Sequence, residues 1–281
     1  MNWTKTFLLM GTLTALLVLI GKWVAGTNGM ILFLGLAGVM NFVSYWYSDK
    51  IVLKMYGAQP ITETDSPQLY GMVERLTQQA GLPMPKLYLM NTDMPNAFAT
   101  GRNPDHAAVA VTSGLMRILD RDEVEGVIAH ELAHVKNRDI LIGTIAATMA
   151  GAIMMIANWA RFAAIFGGMS SDDDDGGSNI LVVLIVSIVA AFAAFLVQMA
   201  ISRSREFQAD RTGAEITGHP LGLANALLKL ERGNQLIQAE PVPATAHMFI
   251  INPLKGMFST HPSTEDRVAR LQMMAQEMPA Y

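Results

Sequence analysis

The chain has 281 residues, of which 51% are hydrophobic and 16% charged, and its net charge is −4. That length allows one or two domains, and that charge leaves no basic footprint for nucleic acid. There is no cysteine, which excludes disulfides and thiolate metal ligands together, so a zinc site here must use His and carboxylate.

The apolar residues gather into four long uncharged stretches. Thr6–Gly21 is bracketed by Lys5 and Lys22, Thr27–Ser48 ends at Asp49, Ile140–Ala160 ends at Arg161, and Asn179–Ser202 ends at Arg203. Most reach the roughly 20 residues a membrane-spanning helix needs, the first by including its flanking lysines. Trp3, Trp23, Trp46 and Trp159 all fall at the ends of these stretches, as in an interfacial aromatic belt. This placement favours four spans, at about 6–25, 28–48, 140–161 and 180–201, over buried core helices. The first stretch lacks a small-x-small cleavage site and is read as retained. Lys5, Lys50, Lys54, Lys136, Arg138, Arg203 and Arg205 lie on one side of the spans. Lys22, Arg161 and the acidic run Asp172–Asp175 lie on the other. The basic side is expected to be cytoplasmic, and with it both termini and segments 51–139 and 203–281. The acidic run reads as a solvated loop, with calcium binding the weaker alternative.

Between the second and third spans, 51–64 reads as a mixed connector. Ser66-Pro67 opens a helix with Leu69, Met72, Val73, Leu76 and Ala80 on one face and Gly81 as its stop. Lys86–Met90, Asn96–Gly101 and Ala107–Thr112 read as short strands, and Leu115–Leu119 as a short helix. Asp120, with Glu123 three residues later, predicts a capping box at the start of the next helix.

That helix carries Ala129-His130-Glu131-Leu132-Ala133-His134-Val135. Two histidines four apart stand one turn above each other on the same face and can reach one metal ion. Glu131 lies beside them, near enough to handle a proton on a water at that metal. This HExxH arrangement pairs two zinc ligands with a general base. Val124, Val127, Ile128, Leu132 and Val135 form an apolar stripe, and Gly126, Ala129 and Ala133 would let another layer approach the histidine side. A helix buried on most sides has no use for His, Glu and His as a solvated face.

The fourth stretch ends in Ser202-Arg203-Ser204-Arg205-Glu206-Phe207-Gln208-Ala209-Asp210. Glu206 returns to the same side of the membrane as the histidines and is the best candidate for a third ligand. Asp210, one turn on, is placed to accept a hydrogen bond from a ligating histidine. The competing reading is a salt-bridged helix start, because Arg203, Arg205 and Arg211 flank both acids. Pro220 opens a further helix, 233–256 is loop-rich, and His261-Pro262 opens the last helix, with Val268, Leu271 and Met274.

Over essentially its whole length the chain resembles the HtpX-type membrane zinc metalloproteases, relatives of the prenyl-protein (CAAX) endopeptidases. Two spans, the HELAHVKNRD run, two more spans and the SREFQAD run carry the resemblance, with Asn96-Ala97-Phe98-Ala99 and Thr260-His261-Pro262-Ser263 with Arg267 as further matches. It implies His130, His134 and Glu206 as ligands of one zinc ion and Glu131 as the catalytic residue. It also implies that the strand of Asn96, Ala97, Phe98 and Ala99 is an edge that binds substrate backbone; on the residues alone this is an interior strand. For His261 it suggests a place near the metal, holding Glu206 or stabilising an oxyanion, against a plain helix-capping histidine. Asp139 matches a family acidic position and is read as structural.

The expected fold is an integral membrane α-helical protein carrying an α+β zincin-like metalloprotease domain on the cytoplasmic side. The expected function is a zinc endopeptidase of the bacterial inner membrane that cleaves misfolded membrane or unfolded proteins under heat or other stress. A metal-binding transporter without proteolysis and a narrow-specificity processing peptidase are the rivals. The sparse ionisable residues in the spans speak against the transporter. Oligomeric state and physiological substrates are not legible in the chain.

Overall fold

The computed structural model describes residues 2–146, 148, 203–236, 250 and 262–278. It opens with α1 (Asn2–Met55), which is not a straight rod. Asn41 Nδ2 donates to Thr14 Oγ1 at 2.8 Å across 27 positions, a separation of about 40 Å on a straight helix. The chain reverses at Gly26, whose φ of +61° lies in the left-handed region that glycine adopts without a Cβ clash. α1 is therefore a hairpin of two antiparallel arms. The second arm, Gly26–Met55, is long and apolar enough to cross a membrane, whereas the first holds a shorter apolar helix, Thr6–Leu19. Leu19, Ile31, Leu32, Val39 and Phe42 are exposed on its surface, an outward apolar face suited to lipid. The helix runs on past the expected span to Met55, into the stretch read as a mixed connector, because Val52 and Leu53 are buried beneath a β-sheet.

That sheet has four strands in the order β1-β2-β4-β3, namely β1 (Gln59–Ile61), β2 (Lys86–Met90), β3 (Ala97–Gly101) and β4 (Ala107–Thr112). β2 and β4 are parallel, while β1 on β2 and β3 on β4 are antiparallel. β1 lies in the expected connector; three residues with a central proline carry no alternation to read. The period of two sorts the side chains cleanly. Leu87, Ala97, Val109 and Val111 face the main core, and Met90, Phe98, Ala108 and Ala110 face Val52 and Leu53 at the end of α1. β4 is buried along its whole length, since helices cover both faces. Among the described residues β3 lies at the edge of the sheet, not in its interior.

α2 (Pro67–Ala80), α3 (Ser113–Ile118) and α4 (Arg121–Lys136) match the expected helices, with Gly81 closing α2 in the left-handed conformation. α4 packs most heavily on α5 (Arg203–Thr217) and α6 (Pro220–Leu236). α7 (Thr264–Glu277) starts later than expected because Ser263, not His261, caps it, accepting from Asp266 N at 3.1 Å. Residues 140–146 are helical. The rest of the expected spans at 140–161 and 180–201, except 148, the run Asp172–Asp175 and His261 lie outside the described residues.

Candidate metal centre

α4 begins with the reciprocal cap that its sequence predicts. Asp120 Oδ1 accepts from Glu123 N at 3.1 Å and Glu123 Oε2 accepts from Asp120 N at 2.9 Å. Val124, Val127, Ile128, Leu132 and Val135 are all buried. The histidine side is covered as well, by α5. Gly213 permits this: a Cβ there would lie 2.9 Å from His130 N. The close crossing turns Glu206 and Asp210, two turns and one turn before Gly213, toward the histidines.

His130 Nε2 and His134 Nε2 lie 3.2 Å apart. Glu206 Oε2 is 3.7 Å from the first and Oε1 is 3.6 Å from the second. One donor atom from each of the three residues lies within 4.8 Å of the others. Two ligands each about 2.0–2.1 Å from a tetrahedral zinc stand about 3.4 Å apart. The donor set therefore fits a zinc-sized ion.

The other nitrogen of each imidazole is occupied. His130 Nδ1 lies 2.9 Å from Asp210 Oδ1, and His134 Nδ1 lies 3.1 Å from both oxygens of Asp139. Each carboxylate accepts from an Nδ1–H, which turns the Nε2 atom of that ring toward the shared point. Burial holds His130 below its usual pKa, and Asp210 opposes this. Burial also pulls His134 down, but Asp139, Glu206 and Glu131 outweigh it and push it up to about 10. Four carboxylates meeting around two imidazoles favour a cation at this point.

Glu131 is 6% exposed and its Oε2 accepts from Ala99 N at 2.8 Å. Burial raises its pKa to about 7, against the lowering pull of His134 and the Ala99 N–H. A base poised near neutrality suits proton transfer at ordinary pH. The same bond fixes how β3 is oriented. Asn96 O accepts from Thr112 N at 3.0 Å, so Asn96, Phe98 and Thr100 pair with β4, while the backbones of Ala97 and Ala99 turn outward toward Glu131.

Two residues that the motifs include take roles that the motifs do not reveal. Asp139, read as structural, orients His134. It arrives there because Arg138 takes a left-handed φ of 56°, which folds the chain back beneath the ring. Arg267, 2% exposed, grips Asp210 and donates through Nη1 to Ile250 O at 2.8 Å. A signal exists in the sequence: Arg267 sits one turn before Leu271, on the buried face of α7. Asp210 is held at about 2, because Arg267 and His130 outweigh the raising effect of burial. Of the arginines that flank the two acids, Arg211 does not pair with either of them, while Arg205 lies in the field of Glu206. Arg211 pairs with Glu215 at 2.9 Å instead, and both acids turn inward.

The profile of peptidase family M48 matches residues 63–275. The chain belongs to peptidase family M48. It is 58% identical over 276 residues to a protein of Desulforapulum autotrophicum named "Protease HtpX homolog", covering 96% of this chain and 89% of that one. A protein of the same name from Ralstonia pickettii is 55% identical, with 98% and 97% covered. The crystal structure of S. mikatae Ste24p shares the fold, with a TM-score of 0.54 and 17% identity, over 93% of this chain. This chain spans 62% of that one. The M48 chain described here is a metallopeptidase, and the rival reading of a transporter without proteolysis falls.

Proposed function

We propose that this M48 peptidase is a zinc endopeptidase that hydrolyses extended segments of misfolded or unfolded proteins at the inner membrane, on its cytoplasmic side. One observation carries the reading. The Nε2 atoms of His130 and His134 converge with Glu206, while Glu131, next to His130 on the same helix, accepts from the outward backbone of an edge strand. His130, His134 and Glu206 would hold the metal. A zinc ion bound there would supply Lewis acidity for activating water and polarising a carbonyl. Glu131 keeps Oε2 on the Ala99 N–H and accepts a proton from the attacking water on Oε1, then delivers it to the leaving amine. Ala97 and Ala99 present backbone groups to a peptide laid along β3, which selects an extended chain by main-chain bonding rather than by sequence. The names of the relatives are consistent with protein quality control.

The test compares wild type with Glu131→Gln on an unfolded test protein, in detergent, with bound zinc counted. Both proteins should hold about one zinc per chain, and the variant should lose about 10²–10⁴-fold in turnover. Undiminished cleavage by Glu131→Gln would remove Glu131 from this role.

A further inference from the structure

A second site stands at the foot of the hairpin. A cleft of about 330 Å³ opens between the end of α1 and the outer strands, lined by Lys50, Leu53, Lys54, Gly57, Ala58, Gln59 and Tyr88. That volume is at the small end for ligand sites. No acidic residue lines it, and none of its residues belongs to the metal centre. Lys50 and Lys54 are four apart, so their ammonium groups rise on one side of the helix. Neither has a carboxylate partner among the described residues; Lys50 Nζ rests 5.2 Å from the Tyr47 ring centroid. The intervening Asp49 lies about 100° around the helix and is not part of the lining.

Two lysines in the last turns of a helix commonly serve its C-terminal carbonyls. Those carbonyls are already engaged. Tyr56 N, Ala58 N and Gly57 N donate to Val52 O, Leu53 O and Lys54 O at 3.2, 2.9 and 3.1 Å, with Gly57 left-handed at φ +61°. The ammonium groups are left for an outside anion. The depth of the cleft indicates which anion. Trp46 and Tyr47 are exposed at 44% and 46%, at the level of an interfacial belt. Lys50 and Lys54 follow one and two turns later, about 6 and 12 Å further along the axis, where lipid phosphates lie.

We propose that this cleft binds the phosphate of an anionic membrane lipid, with Lys50 and Lys54 pairing its charge and Gln59 and the Tyr88 hydroxyl as hydrogen-bonding groups. The proposal rests on the membrane placement of α1. Its position matters for the peptidase, because Val52, Leu53 and Tyr56 of the same segment pack with Phe98 of β3. The lipid would thus seat the substrate edge at a fixed height above the bilayer.

The test uses the full chain in detergent, with native mass spectrometry counting retained phosphatidylglycerol against phosphatidylcholine. Two lysines near a headgroup correspond to a preference of roughly tenfold or more for the anionic lipid. The double variant Lys50→Gln/Lys54→Gln should reduce the preference to near parity. Lys50→Arg/Lys54→Arg should keep it, as should Lys22→Gln/Lys86→Gln, which removes equal charge elsewhere. Equal retention of both lipids by wild type, or an equal loss in the Lys22/Lys86 variant, overturns the site. Displacement of the lipid by millimolar inorganic phosphate assigns the cleft to free phosphate and overturns the lipid. Release of the chain from carbonate-washed membranes instead overturns the placement of α1, separately from the cleft.

Discussion

Arg267 holds Asp210 through both arms of its guanidinium, Nε to Oδ2 at 2.8 Å and Nη2 to Oδ1 at 2.6 Å. Asp210 Oδ1 lies in turn 2.9 Å from His130 Nδ1. A single chain of charge-assisted contacts therefore runs from α7 through α5 to a metal-facing imidazole on α4. Removing one partner of a buried pair leaves the other charge uncompensated, at a cost of about 3–5 kcal/mol. Arg267→Met is expected to lower the thermal midpoint in detergent by several degrees. Arg267→Lys keeps the charge but not the fork, and should fall between. Melting curves of the three proteins at one zinc concentration decide it; an unmoved midpoint in Arg267→Met would show that the pair adds nothing to the fold.

Asp139 and Asp210 perform matching tasks on the two histidines, so their loss should show in metal affinity, and for Asp210, which also strips Arg267 of its partner, in the fold as well. Partners of this kind are worth about 10–100-fold in affinity. We expect Asp139→Asn and Asp210→Asn each to weaken zinc binding by that factor. Glu131→Gln should leave it within about threefold, because Glu131 is not in the donor set. Titration against a coloured chelator measures all three. Wild-type affinity in Asp139→Asn would return that residue to the structural role read from the sequence.

The outward turn of Ala99 predicts an asymmetry between neighbouring prolines. Phe98 lies at a position whose backbone pairs with β4, so Phe98→Pro removes a ladder bond and buries a misfit beside Tyr56. It should fail to fold. Ala99→Pro removes the N–H that holds Glu131 and spares the β4 ladder. That variant should fold and bind zinc, yet lose most of its turnover. Circular dichroism together with peptide cleavage separates the two. Full activity in Ala99→Pro would show that neither the Glu131 contact nor the outward edge at this position is needed.

Much of the centre was legible because helical spacing is a strict ruler. His130 and His134 are four apart, Glu206 and Asp210 are four apart, and each pair must share a face. The strands Lys86–Met90 and Ala107–Thr112 were legible from their bounded apolar runs. What stayed hidden depends on contacts between distant segments. Nothing local distinguishes an edge strand from an interior one, and β3 becomes an edge only through the strand order. Asp139 acts on His134 through a left-handed residue that arginine seldom supplies. Arg267 meets Asp210 across 57 positions, a distance over which periodicity is silent. The helical start of the connector was missed because a membrane ruler stops at the polar residues after Ser48, whereas the sheet demands two further turns of helix.

The cap at Asp120 gives a prediction in pH. The Glu123 N–H, and then the nearby Lys229, favour the charged form of Asp120, so its pKa lies below the ordinary carboxylate value, with the slight burial opposing. A group with a depressed folded pKa contributes stability above its unfolded value and loses it as pH falls through the folded one. Here the contribution is complete above about pH 4 and fades on further acidification. Asp120→Ala removes the cap and should cost about 1 kcal/mol at neutral pH, reported by the thermal midpoint. The gap to wild type should narrow as pH drops from about 5 toward 3, because the protonated wild-type carboxyl is a poorer acceptor for the helix N-terminus. Asp120→Asn keeps an acceptor that does not titrate, so its offset from Asp120→Ala should stay flat over the same range. A gap between wild type and Asp120→Ala that is constant with pH would mean that the charge on Asp120 plays no part in starting the helix that carries the metal centre.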